Sequence, residues 1–119
     1  MNDPVAATMA KLQLPQIILH NSGQDGTLRS AAALQGIKAI TVEIGNPQLF
    51  QNRYVQWSYL GVMRILSYLS MFTAESELSM APYMLLCSRG FWIYTRTGGV
   101  LEVYPNVNTL VRKGDLIAR

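Results

Sequence analysis

Between residues 17 and 44 the chain passes through an apolar run, a polar loop, an alanine-rich stretch and a second apolar run. That alternation narrows the possible folds more than any other feature. Ile17, Ile18 and Leu19 form an aliphatic, partly β-branched run with the length of a buried strand. Residues 20–26 (HNSGQDG) are polar and rich in turn formers, so they read as a loop. Thr27 is placed to cap a helix running through Ala31, Ala32, Ala33 and Leu34, and Gly36 stands where a helix C-terminal glycine belongs. Residues 37–44 (IKAITVEI) then read as a second strand. Strand, helix and strand within about 30 residues is the signature of a βαβ unit. The two strands are therefore expected as parallel neighbours in one sheet, and the expected class is α/β.

The flanks extend this picture. Asn2 or Asp3 precedes Pro4, which predicts a capped helix reaching about Leu12. After the turn formers at 45–47 (GNP), Val55, Tyr59, Val62, Leu66 and Leu69 recur at spacings of four, three, four and three. This predicts a long helix over residues 51–72 whose apolar stripe packs on the sheet. Residues 73–81 (TAESELSMA) read as a linker. Beyond Pro82 come short apolar or aromatic runs at 84–87, 91–95, 100–104 and 109–111, separated by glycine-containing or other turn-forming segments. Such spacing predicts an antiparallel meander or a small barrel. The expected organisation is thus residues 1–73 as an α/β portion. Residues 74–119 would be a small all-β subdomain, truncated just after the strand-like start at 116–118.

Composition sets the outer bounds. Half of the 119 residues are hydrophobic and only 14% are charged, against roughly 25% charged in an average globular domain. So apolar a chain is not a disordered tail. No apolar run reaches the roughly 18 residues that a membrane helix requires, and the longest, at 60–72, is broken by Arg64. No membrane association is expected. The N-terminal MNDP has no basic n-region, and the lone Cys87 forms no internal disulfide, which fits a reducing cytoplasm. The net charge of +3 comes from scattered basic residues, of which only Arg112 and Lys113 adjoin. With no basic stripe interleaved with stacking aromatics, no nucleic-acid partner is expected. The low charge instead predicts apolar surface buried against something outside the chain, either a partner copy or missing parts of the same protein, and as a separate molecule the chain is expected to self-associate.

The inventory for chemistry is short. One His and one Cys cannot close a zinc site, and no H-x-x-E, phosphate-binding glycine loop or G-x-S-x-G elbow is present. What remains is Glu43 near the end of an otherwise apolar strand, and Arg29 in the first turn of the preceding helix. Open α/β sheets place their sites at the carboxyl ends of parallel strands. A partly desolvated carboxylate there suits general-base work. The competing reading, equally weighted, is that Glu43 emerges at the sheet edge and accepts backbone N–H groups from the 45–46 turn. Arginine beside such a base suits an anionic substrate, although Arg29 taken alone reads as a solvated helix residue.

Residues 26–45, GTLRSAAALQGIKAITVEIG, resemble the succinylglutamate desuccinylase/aspartoacylase family of zinc-dependent amidohydrolases, relatives of the zinc carboxypeptidases. That family's pattern is G-T-L-R, an alanine-rich helix, a glycine, then an apolar strand ending in T-V-E-x-G; Lys38 stands where the family often has proline. The resemblance continues through residues 61–71 (G-V-x-x-I-L-x-x-L-x-M) and into 91–100 (FWIYTRTGGV) and 111–118 (VRKGDLIA), which are similar to the small β-domain that follows. It implies that Glu43 is the general base acting on zinc-bound water and that Arg29 binds the substrate carboxylate. It also implies a hydrolase cleaving the amide bond of a small-molecule N-acyl amino acid. The family's zinc ligands, an H-x-x-E pair and a later histidine, match nothing here, and His20 reads as structural or as a rim residue. Residues 1–73 are then implied to be the C-terminal portion of the catalytic α/β domain. The resemblance therefore implies zinc held by residues outside this chain, no metal ligand within it, and a fragment inactive on its own. The tail's G-G-x-L and V-x-K-G-D segments are also similar to the biotinyl/lipoyl-type barrel, which gives the alternative of a non-catalytic binding module. No lysine flanked by methionine sits at a hairpin tip to serve as its swinging arm.

Overall fold

The computed structural model describes residues 3–21, 26–73 and 83–119. Asn2 and most of the loop and linker expected at 20–26 and 73–81 lie outside them. The element order is α1 (Pro4–Leu12), β1 (Ile17–Leu19), α2 (Leu28–Leu34), α3 (Asn52–Tyr68) and β2 (Leu85–Cys87). This is a mixed α/β arrangement. The chain divides into two compact units, Met1–Arg89 and Gly90–Arg119.

The helices of the first unit end, and α1 and α2 begin, where local chemistry dictates. The Asp3 carboxylate accepts the backbone N–H groups of Val5 (2.9 Å) and Ala6 (3.0 Å), and Pro4 occupies the first helical position, where no N–H is needed. Thr27 caps α2, its hydroxyl accepting the N–H of Ser30 at 3.2 Å. At the other end of α2, the Ile37 N–H reaches the Ala32 carbonyl and the Gly36 N–H reaches that of Ala33, with Gly36 at φ +74°. That is a Schellman closure. Ser70 closes α3 in the same way at φ +57°, with Met71 bonded back to Leu66. α1 achieves only half of the motif, because Pro15 has no N–H to give; Leu14, at φ +51°, donates to Lys11.

α1 packs against α3. Ala6, 4% exposed, is the only buried apolar side chain among the described residues, and Gly61 is the buried position of α3. A Cβ at Gly61 would overlap the side-chain amide of Gln13, which would have to move aside. Arg64 reaches across to the Leu12 carbonyl at 3.5 Å, a cation at the C-terminal end of α1, where the helix dipole favours it.

The parallel pair expected between 17–19 and 37–44 is replaced by another. β1 pairs in parallel with β2, in the register Ile17 with Leu85 and Leu19 with Cys87. Residues 37–44 form no strand. Their start is held elsewhere: the Schellman closure fixes Ile37, and the Lys38 ammonium pairs with the Asp3 carboxylate that caps α1. The 84–87 run, grouped by its sequence with the C-terminal strands, thus belongs to the first unit. The stripe on α3 was also expected on the sheet; the element α3 packs against is instead α1.

In the unit Gly90–Arg119 the expected strands at 91–95, 100–104 and 109–111 do not form, and no barrel is built among the described residues. One antiparallel bridge joins Val103 to Ala118. Glu102 and Arg119 exchange both backbone hydrogen bonds there, and Tyr104 donates to Ile117. The Arg119 Nε also bonds Glu102 Oε2 at 2.7 Å. Asp115 closes a turn, its carboxylate accepting the Arg112 N–H at 2.7 Å.

Candidate functional site

Glu43 lies on the extended, unpaired stretch before the turn at Gly45, and it is exposed. The expectation of a partly desolvated carboxylate at a strand end is therefore corrected, because residues 37–44 form no strand and Glu43 is exposed among the described residues. The competing reading, in which the 45–46 turn donates to Glu43, finds no such hydrogen bond among the described residues.

The turn itself is firmly specified. Gly45 adopts φ +63°, and a Cβ there would lie 2.8 Å from the Gln51 amide nitrogen and 3.3 Å from the Tyr54 ring. Both its conformation and its surroundings call for glycine. Gln51, at the start of α3, donates its side-chain amide to the Asn46 carbonyl at 3.1 Å. The turn after Glu43 is thereby fastened to the first turn of α3. Beside it lies an open depression of about 480 Å³ whose walls include Ile44, Leu49, Phe50, Tyr54, Val55 and Tyr59. Glu43 does not line it.

Arg29 is half-buried in the first turn of α2. Its guanidinium donates to the Asn21 side-chain oxygen at 2.6 Å and to the Asn21 carbonyl at 3.4 Å. The structure thus gives Arg29 to Asn21 and shows no direct contact between Arg29 and Glu43 among the described residues. Asn21 as partner was not legible, since a pairing across eight residues of loop has no periodic signature. Beyond the turn, Tyr54 and Trp57 stack with ring centroids 6.5 Å apart, and the Arg53 guanidinium lies 5.5 Å from the Trp57 ring centre.

The Asp3–Lys38 pair is the described place where electrostatics clearly move a proton affinity. The hydrogen bond from Lys38, aided by the Ala6 N–H, holds the Asp3 carboxyl below its ordinary value of 3.8.

No three His, Cys, Asp or Glu side chains come together as a metal site among the described residues, so these residues do not fit a zinc ion. His20 extends the β1–β2 ladder, donating its backbone N–H to the Cys87 carbonyl at 2.8 Å. No helix among the described residues is long and apolar enough to cross a membrane. Compared with protein-family models, curated proteins and solved structures, the chain matches none.

Proposed function

We propose that this chain is the portion of a cytoplasmic amidohydrolase that carries its general base, Glu43, and a substrate-binding arginine, Arg29. The substrate class is a small N-acyl amino acid, as in the desuccinylase/aspartoacylase family. Zinc belongs to this reading only through ligands supplied outside this chain. The reading is carried by the T-V-E-x-G segment itself. Its glycine is held in the left-handed region, and its turn is fastened to α3 through Gln51. A carboxylate two residues ahead of such a turn has a free head, as a proton acceptor for an attacking water requires. Arg29, braced by Asn21, presents a planar cation that recognises a carboxylate through paired N–H donors.

The test is steady-state kinetics on the complete enzyme. Glu43→Gln keeps the size of the side chain and removes the basic oxygen, so kcat should fall by about 10²–10⁴-fold with KM little changed. Arg29→Ala should mainly raise KM for carboxylate substrates. Retention of more than about a tenth of kcat by Glu43→Gln removes Glu43 from the role, since a general base contributes far more.

A further inference from the structure

We infer that Asn21 is a positioning residue, which sets the Arg29 guanidinium for a carboxylate ligand at the carboxyl end of the β1–β2 pair; this rests on the substrate-binding role proposed for Arg29. β1 ends at Leu19, opposite Cys87 of β2. The ladder runs one bond further, because the His20 N–H donates to the Cys87 carbonyl at 2.8 Å. Asn21 is the residue that leaves the sheet there, with its predecessor still held by the ladder. From that place its side-chain oxygen accepts Arg29 Nη2 at 2.6 Å and its carbonyl accepts Nη1 at 3.4 Å. One residue thus holds both terminal nitrogens of the guanidinium. Helix α2 supplies the stem of Arg29, and the strand end supplies its direction.

The chemistry of the pair suits a ligand. The bond of 2.6 Å is short for N–H···O, as bonds from a charged donor are. Asn21 is neutral, so it orients the cation without cancelling the charge. An aspartate in its place would hold the guanidinium and neutralise it. Asn21 takes one N–H from each terminal nitrogen and leaves the rest to a ligand. Asn21 is exposed and Arg29 half-buried, so a dissolved carboxylate can reach the pair. Their position agrees with the general rule that open α/β sheets receive ligands beyond the carboxyl ends of their strands. An unheld arginine would have to be ordered on binding, at a cost in affinity. The hold from Asn21 removes that cost beforehand.

Heteronuclear NMR of the full chain tests this without any turnover. N-acetylglycine, a minimal N-acyl amino acid, should shift the Arg29 Nε–H resonance with millimolar affinity, and its neutral amide should not. Asn21→Ala should make the Arg29 Nε–H mobile on the nanosecond scale and weaken binding by about three- to tenfold, the cost of ordering one long side chain. The backbone amides of α2 should stay where they are. Should Asn21→Ala disturb the loop, Asn21→Asp decides. It keeps the shape of Asn21, so Arg29 should remain rigid, and its charge should abolish the shift by N-acetylglycine. An Arg29 that stays rigid and binds unchanged in Asn21→Ala overturns the inference and leaves the role of Arg29 standing. So does an Asn21→Asp chain that binds N-acetylglycine as the native one does. Binding that is absent, or that survives Arg29→Ala, overturns both, while the kinetic test of Glu43 is untouched by either result.

Discussion

The units Met1–Arg89 and Gly90–Arg119 both contain runs of apolar and aromatic residues, yet only the first converts them into regular elements. Among the described residues, the first has three helices, two of them closed by a full Schellman motif, and one short parallel pair. The second has a single bridge between Val103 and Ala118. The difference lies in where backbone hydrogen bonds are found. A helix satisfies its N–H and C=O groups within a few residues, so a cap and an allowed sequence suffice. A strand satisfies nothing alone and exists only where a second edge meets it. Apolar runs such as 91–95 carry strand-forming side chains but meet no edge.

The largest effect is expected at Ala6, the buried apolar side chain among the described residues. Ala6→Asp introduces a carboxylate at a position of α1 that is 4% exposed. An unpaired buried charge costs about 3 kcal/mol or more. The helical signal should fall and its thermal transition should broaden or vanish. Retained helicity at room temperature would mean that the α1–α3 contact is not what holds the helices.

A smaller loss is expected in acid. The folded state holds the Asp3 carboxyl below its ordinary value, so the stabilisation it gives is fully present above that value. It is lost as pH falls through the lower, folded one. Helicity followed by circular dichroism should therefore decline only below about pH 4, the ordinary carboxylate range. Asp3→Asn, which preserves a capping oxygen, should flatten that decline; an unchanged acid limb would show that other carboxylates cause it.

The smallest effect is expected in the second unit. Glu102 and Arg119 form an ion pair with side chains 53% and 73% exposed, and exposed pairs contribute roughly 0–1 kcal/mol. Glu102→Ala should leave the melting curve nearly unchanged. A marked shift would mean that Gly90–Arg119 is more cooperative than its one bridge implies.

The same division explains what could be read beforehand. Asp3, Pro4, Thr27 and Gly36 announced α1 and α2 because capping is written within four residues of sequence. Ile17–Leu19 was legible as a strand, but its partner was not. Residues 37–44 have the stronger strand composition, yet Leu85–Cys87 takes the place beside β1, and a pairing across some 65 residues leaves no periodic trace. The α3 stripe was legible as a pattern, though its expected cover, the sheet, is not what the helix packs against. For the site, Glu43 and Arg29 were found as residue types in a pattern. Their surroundings were not, because burial of Glu43 depended on a strand that does not form, and Asn21 reaches Arg29 from an irregular loop.

The chain holds Glu43 on a segment whose backbone is unpaired, between α2, closed at Gly36, and the start of α3. Amide hydrogen exchange followed residue by residue measures this directly. Amides in the interiors of α1 and α3 should exchange slowly, and those of residues 40–44 should exchange at rates near those of an unprotected chain, because no ladder holds them. Protection of 40–44 equal to that of α3 would contradict the account and place Glu43 at the end of a paired strand.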